Sequence, residues 1–246
     1  MKKIILICVF LYTGLSASYF DEAMIAYNKQ NYKKAVELYT LSAEKGNSVA
    51  QYELGHMYYN GRIVKQNYKE ALRLYTLSAD QDYSSAQNNL GLMYYNGQGV
   101  KQNYKKASQL YSLSVKQGSS IAQNNLGEMC ASGKGVKQNY KEAARLYSLS
   151  ADQGYSEAQN NLGLAYIRGE GVEQNYKKAF QLFTLGANQG SSEAQYNLGL
   201  MYVKGLGITT SRYKAFEYWQ KSAKQGHPNA EKNIEILCKK TPWVCK

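Results

Sequence analysis

AQNNLGLMYYNGQGVKQNYKKASQLYSLSVKQG, residues 86–118, is the clearest copy of a repeat that organises most of this chain. Alanine recurs at intervals of 36 residues, at Ala50, Ala86, Ala122, Ala158, Ala194 and Ala230. A fixed period of this length indicates stacked supersecondary units, each of which buries its apolar side only against its neighbours. The sequence therefore predicts a long surface rather than a single enclosed core.

Each copy of the repeat contains two helical patterns. Ala86, Leu90 and Tyr94 fall on one helical face, and Gly97 supplies the left-handed conformation that ends the helix. The stretch 104–118 repeats the same spacing and closes with a second glycine. The unit is therefore predicted to be a helical hairpin, made of a helix A and a helix B.

Small residues mark the places where the two helices of a hairpin approach closely. Ala86, Gly91 and Ala107 are small, whereas Leu90 and Leu110 fill the volume around them. We expect a bulky residue at Gly91 to overpack this contact and to lower stability by about 1–3 kcal/mol.

The repeat resembles a known family. The pattern A-x-x-x-L-G-x-x-Y-x-x-G-x-G-V, followed by Y-x-x-A-x-x-L-Y-x-x-S-A-x-x-G, is similar to the Sel-one-like repeat (SLR), a relative of the tetratricopeptide repeat. The resemblance implies an all-α fold, a right-handed α-solenoid of antiparallel helical hairpins. It covers five full units, at 47–82, 83–118, 119–154, 155–190 and 191–226. A partial repeat is expected at 19–46, and a capping helix with a cysteine-closed tail at 227–246.

Three positions depart from the repeat pattern. Asp82 replaces the glycine that closes other units, Ile63 replaces the second loop glycine, and Thr209-Thr210-Ser211 interrupts the KQNYK corner. We expect the loop geometry to differ at these positions, with the fold unchanged.

The N-terminal residues have the pattern of a secretory signal. Lys2 and Lys3 precede an apolar stretch, 4–14, that is too short to span a bilayer, and 16–18 offers small residues for cleavage. We therefore predict a signal peptide at 1–18, an exported protein in the periplasm or outside the cell, and no membrane span after cleavage. The alternative is an uncleaved N-terminal anchor.

The formal net charge of +12 favours acidic partners. Lysines recur at the KQNYK corner of successive units, at Lys65, Lys69, Lys101, Lys105, Lys137 and Lys141. This basic stripe could attract an anionic cell-wall component, and it could equally be a solvated face that maintains solubility. Nucleic acid is not an expected partner, because export removes the protein from most of it.

The side of helix A opposite its apolar face is the candidate binding surface. An asparagine recurs there, and asparagine offers both a donor and an acceptor to the backbone of an extended peptide. The resemblance implies the same role, since helix A asparagines bind peptides in related tetratricopeptide domains; the alternative is neutral polar filler. The candidate partner-binding residues on this concave face are Asn89, Asn125, Asn161, Asn197, Leu92, Leu164 and Leu200.

No set of converging catalytic residues is evident, and neither a cofactor nor a metal is expected. Some cysteine-rich SLR proteins are associated with penicillin binding and weak β-lactamase activity, which the resemblance makes an alternative function. Two S-x-x-K matches exist, at 42–45 and 211–214, but the companion S-D-N and K-T-G motifs are absent. The leading hypothesis is an exported scaffold that binds a protein or peptide, in envelope organisation or host contact. A cell-wall glycan binder is the second alternative.

The cysteines near the C terminus suggest a disulfide. Cys238 and Cys245 enclose the irregular segment KKTPWV, and an exported compartment permits oxidation. Closing this short loop would contribute roughly 2–3 kcal/mol. Cys130 occupies a position where other units have tyrosine, which favours a small core residue over a nucleophile.

A thiol-reactive probe on exported, unreduced protein should therefore leave Cys238 and Cys245 unlabelled and should label both after reduction. Mass mapping of peptides identifies the labelled cysteines. Labelling of both before reduction would contradict the pairing.

Overall fold

The computed structural model describes residues 18–245, which form thirteen α-helices and one short 3-10 helix. The first helix, α1, occupies 18–28. The others are α2 (Tyr32–Glu44), α3 (Ser48–Asn60), α4 (Tyr68–Ala79), α5 (Ser84–Asn96), α6 (Tyr104–Lys116), α7 (Ser120–Ser132), α8 (Tyr140–Asp152), α9 (Ser156–Arg168), α10 (Tyr176–Asn188), α11 (Ser192–Lys204), α12 (Arg212–Ala223) and α13 (Ala230–Lys240). The predicted all-α class is confirmed. Apart from residue 18, the predicted signal peptide lies outside the described residues.

The helices pair into hairpins within two compact units, the first ending at Ser119 and the second beginning at Ser120. In unit 1, α3 packs on α4 and α5 packs on α6, with α2 against α3. In unit 2 the hairpins are α7–α8, α9–α10 and α11–α12, and α13 packs on α12. We call α3, α5, α7, α9 and α11 the first helices, and α4, α6, α8, α10 and α12 the second helices.

The KQNYK corner starts α4, α6 and α8, and the similar EQNYK starts α10. Its asparagine is the N-cap, as at Asn103, whose side chain accepts a hydrogen bond from the backbone N–H of Lys106. Ser211 caps α12 in the same way, so the expected change of geometry at 209–211 was wrong there.

The expectation for Asp82 was also wrong. Its φ of 59° is left-handed, like the 84° of Gly118 at the equivalent position, since an aspartate tolerates this conformation better than most residues. Ile63 does differ, because it lacks the positive φ that Gly99 adopts.

A glycine in each first helix seats an aromatic ring from its hairpin partner. A Cβ on Gly91 would lie 2.8 Å from Cε1 of Tyr111, and one on Gly163 would lie 2.6 Å from Cε1 of Phe183. Such distances are too short for carbon atoms in contact, so only glycine lets the two helices come this close. The pairs are Gly55–Tyr75, Gly91–Tyr111, Gly127–Tyr147, Gly163–Phe183 and Gly199–Trp219.

Buried polar side chains connect the helices with the same periodicity. Ser78 Oγ donates to the carbonyl of Ser48 at 2.7 Å. Gln51 Nε2 donates to the carbonyl of Ala43 in the preceding helix at 3.0 Å, and Gln51 Oε1 accepts from Gln81 Nε2 at 2.8 Å. Each buried glutamine of this kind therefore joins one hairpin to the helix before it, with its polar atoms satisfied.

The C-terminal tail is held against the end of unit 2. Cys238 and Cys245 form the predicted disulfide, with Cα atoms 5.8 Å apart. The 3-10 helix Pro242–Val244 buries Val244 in the apolar cluster that contains Trp219 and Leu237. This contact covers apolar surface that the last repeat would otherwise expose.

Replacing Gly163 with valine should destabilise the protein by about 1–3 kcal/mol, because the added methyl groups have no space beside Phe183. Chemical denaturation measures the free energy of unfolding. Combining the change with Phe183→Leu should cost less than the sum of the two single changes.

The exposed position Gln181 on α10 provides the control. Gln181→Val should change the free energy of unfolding by less than about 0.5 kcal/mol. Equal effects of the changes at positions 163 and 181 would contradict the close glycine–ring contact.

Candidate functional site

The asparagine row connects successive first helices in unit 2. Asn161 on α9 donates its Nδ2 protons to Oδ1 of Asn124 at 2.9 Å and to Oε1 of Glu128 at 3.1 Å, both on α7. Asn197 on α11 donates from Nδ2 to Oδ1 of Asn160 on α9 at 2.8 Å. The sequence suggested that these asparagine Nδ2 groups would donate hydrogen bonds to a bound peptide. Those of Asn161 and Asn197 instead donate to residues of this chain.

The row has a different character in unit 1. Asn89 Nδ2 donates to the hydroxyl of Tyr75 at 3.3 Å, and Asn89 Oδ1 accepts from Asn88 Nδ2 at 3.2 Å. Glu53 occupies the equivalent position on α3, where burial raises the pKa of its carboxyl and nearby His56 partly opposes that shift. In unit 1, therefore, Asn89 bonds a tyrosine hydroxyl, and a glutamate stands at the asparagine position of α3.

The remaining predicted binding residues lie on the same helices. Asn125 on α7 and Leu92 on α5 are half-buried. Leu164 lines a cavity of about 90 Å³ in unit 2. Leu200 lines a wider cleft of about 430 Å³ with Asn233 and Trp219 near the C terminus.

The cavity beside Leu164 combines aromatic and charged groups. Tyr140 and Tyr147 of α8 line it, as do Asn161 and Arg168 of α9. Its other lining residues are Ala131, Ala143, Ala144, Leu164, Ala165 and Glu170. Arg168 Nη1 lies 3.6 Å from Oε2 of Glu170, so a cation and an anion are paired at the edge of the cavity.

Alanines create this cavity, and sequence reasoning missed them. Ala131, Ala144 and Ala165 stand where the corresponding positions of unit 1 carry Tyr59, Leu72 and Met93. The sequence does contain a signal for the cavity, because the adjacent pair Cys130-Ala131 stands where unit 1 has two consecutive tyrosines. Cys130 is buried, and burial raises the pKa of its thiol. This is the core environment that the sequence predicted for it.

A row of exposed leucines on the second helices was also missed. Leu77 and Leu113 in unit 1 are 40% and 41% exposed, and Leu149 and Leu185 in unit 2 are 40% and 52% exposed. Their 36-residue spacing was visible in the sequence. These side chains provide an apolar surface on helices that carry none of the predicted binding residues.

The two S-x-x-K sequences occupy structural positions. Ser42 is fully buried at the repeat position of Ser78, whose hydroxyl bonds a backbone carbonyl. Ser211 accepts the N-capping hydrogen bond of α12, and Lys214 Nζ lies 5.3 Å from the ring centroid of Tyr202. Burial of Ser42 and helix capping by Ser211 are structural roles for both serines.

The lysines of the KQNYK corner, from Lys65 to Lys141, are all exposed. Among residues 18–245, no three or more histidine, cysteine or acidic side chains are grouped so that they could hold a metal ion. None of the helices in this part of the chain combines the length and apolarity that crossing a membrane requires.

The comparisons with known proteins agree on one repeat. The family profile described as the Sel1 repeat matches residues 29–47, 48–83, 84–119, 120–155, 156–191 and 192–227. No curated protein gave a significant match.

Solved structures show the same fold. A protective antigen of uropathogenic Escherichia coli that displays an SLR fold is 34% identical with a TM-score of 0.79, over 93% of this chain and 50% of the antigen. This chain thus spans half the length of that relative. A Sel1 repeat protein from Oxalobacter formigenes is 31% identical with a TM-score of 0.82, over 88% of this chain and 86% of that protein. An immunity protein from Pseudomonas aeruginosa is 21% identical with a TM-score of 0.54, over 85% of this chain and 81% of that one, and shares the fold alone.

Proposed function

Because this chain belongs to the Sel1 repeat family, we propose that it is an exported scaffold that holds a protein or peptide ligand on its first helices. Repeat proteins of this architecture carry no single deep active site, and they bind along the surface that successive units share. Envelope organisation or contact with a host cell would be the setting for such a scaffold.

The observation that carries the proposal lies on α9. Asn161, Leu164 and Arg168 follow one another at helical spacing and border the same open cavity. They combine an amide, an apolar group and a guanidinium that is 59% exposed. Such a mixture suits a polypeptide, whose backbone needs polar partners and whose side chains need apolar ones.

The arrangement of the serines argues against β-lactam hydrolysis. A nucleophilic serine must be reachable by its substrate and must lie beside its general base. Ser42 is fully buried, and Ser211 uses its hydroxyl oxygen to cap a helix. A binding function requires neither serine.

Export is supported by two features. The Cys238–Cys245 disulfide is suited to an oxidising compartment, and the N-terminal sequence has the pattern of a signal peptide. The Escherichia coli relative is described as a protective antigen, a role that agrees with an exported protein.

A selection from a random peptide library with the full-length chain as bait tests the proposal. A selected peptide should bind Asn161→Ala and Leu164→Ala variants at least about tenfold more weakly, because both side chains border the proposed contact surface. Calorimetric titration measures the affinities, and circular dichroism checks that each variant is folded.

Leu149→Ala on α8 is the matched control, since this leucine is exposed on a second helix. Its affinity for the peptide should stay within about twofold of the native value. Weaker binding by the Leu149 variant alone would move the site to the second helices. Enrichment of no peptide, together with salt-sensitive retention on cell-wall sacculi, would favour the basic stripe and a glycan ligand instead.

A further inference from the structure

Tyr59 in unit 1 occupies a defined place at the end of a first helix. Its ring centroid lies 5.4 Å from that of Tyr68, with the rings edge to face, and 6.4 Å from that of Tyr75. Its hydroxyl donates to Oε1 of Gln98 at 2.9 Å. The ring is half-buried, so it closes the gap between two first helices while one side remains near solvent.

Unit 2 contains the same surroundings without the ring. Ala131 replaces Tyr59, whereas Tyr140, Tyr147 and Glu170 stand at the repeat positions of Tyr68, Tyr75 and Gln98. All four line the cavity of about 90 Å³. Ala144 and Ala165, which stand where unit 1 carries Leu72 and Met93, also line it.

We propose that this cavity binds the side chain of a tyrosine from a partner polypeptide, whose ring takes the place that Tyr59 fills in unit 1. The contacts of Tyr59 define the fit: one aromatic edge on Tyr140, a second ring at Tyr147, and the hydroxyl at residue 170. Edge-to-face aromatic pairs stabilise such an arrangement beyond the area that they bury.

Glu170 makes the site selective for a phenol. The neutral amide of Gln98 accepts the hydroxyl proton in unit 1, and in unit 2 a carboxylate stands at that position. A hydrogen bond from a hydroxyl to a carboxylate is stronger than one to an amide. Arg168 Nη1 lies 3.6 Å from Oε2 of this carboxylate, at the edge of the cavity. A phenylalanine side chain would fill the same space but would leave Glu170 without that bond.

This inference rests on the proposed function, because it names one side chain of the ligand that the first helices would hold. Asn161 and Leu164 border the cavity and would contact the residues that flank the tyrosine. The cavity itself can be probed without any peptide, which separates the two ideas.

N-acetyl-L-tyrosinamide is the probe, titrated into the full-length protein and followed by protein-observed NMR. We expect saturable binding with a Kd on the order of 1 mM, typical of a fragment of this size, and shifts confined to residues around the cavity. N-acetyl-L-phenylalaninamide should bind about fivefold more weakly, and E170A should abolish this preference.

Variants that place a larger side chain of this chain in the cavity test the proposal most sharply. A131Y should restore the ring of Tyr59 and weaken the probe at least tenfold, and A165M should weaken it as well by restoring the methionine found at Met93. Y59A is the matched control, because it removes the ring in unit 1 while Leu72 and Met93 remain there, and it should leave the probe affinity of the unit 2 cavity unchanged. Thermal unfolding checks that each variant is folded.

Unchanged probe affinity in folded A131Y or A165M, or equal affinity for both probes in the native protein, would overturn the proposal. Probe binding without any selected peptide would support the cavity while contradicting the peptide scaffold. Peptide binding that A131Y does not change would support the peptide scaffold and would contradict the tyrosine site in the cavity.

Discussion

An aromatic ring packed against a glycine closes every hairpin from α3 to α12, and the rest of the structure depends on this contact. The missing Cβ lets the second helix lie against the first at a distance that no other residue would allow. Hydrogen bonds from Ser78 to Ser48 and from Gln81 to Gln51 accompany this close packing of α3 and α4. The sequence repeats its glycine, aromatic and glutamine positions in every hairpin from α3 to α12, and the serine in all of them except at α10, where Gly186 stands.

Within that contact the glycine is constant and the ring changes only among tyrosine, phenylalanine and tryptophan, whereas positions outside it lose the aromatic ring altogether. The ends of the first helices carry Tyr59 or Tyr95 in unit 1, whose rings pack edge-on against Tyr68 and Tyr104, and Ala131 in unit 2. Losing a ring at such a position opens a cavity without loosening the hairpin, since Gly127 and Tyr147 still pack together. A repeat protein can thus acquire a cavity by truncating a side chain rather than by building a loop.

The sequence predicted features that depend on local spacing. Hairpins, helix ends, the close approach at Gly91 and the Cys238–Cys245 disulfide all follow from residues near one another in the chain. It failed where distant residues meet. The bond from Asn161 to Asn124 depends on the packing of one hairpin on the next, so a row expected to be available to a ligand is partly engaged. The cavity needs alanines from three helices, a convergence that no single repeat displays.

We propose that the missing ring in unit 2 marks where a polypeptide ligand is held. A crystal structure of the protein with a selected tyrosine-containing peptide tests it most directly. We expect a tyrosine ring beside Ala131, between Tyr140 and Tyr147, with its hydroxyl within hydrogen-bond distance of Glu170. A peptide seated on the exposed leucines of the second helices, with this cavity empty, would contradict it.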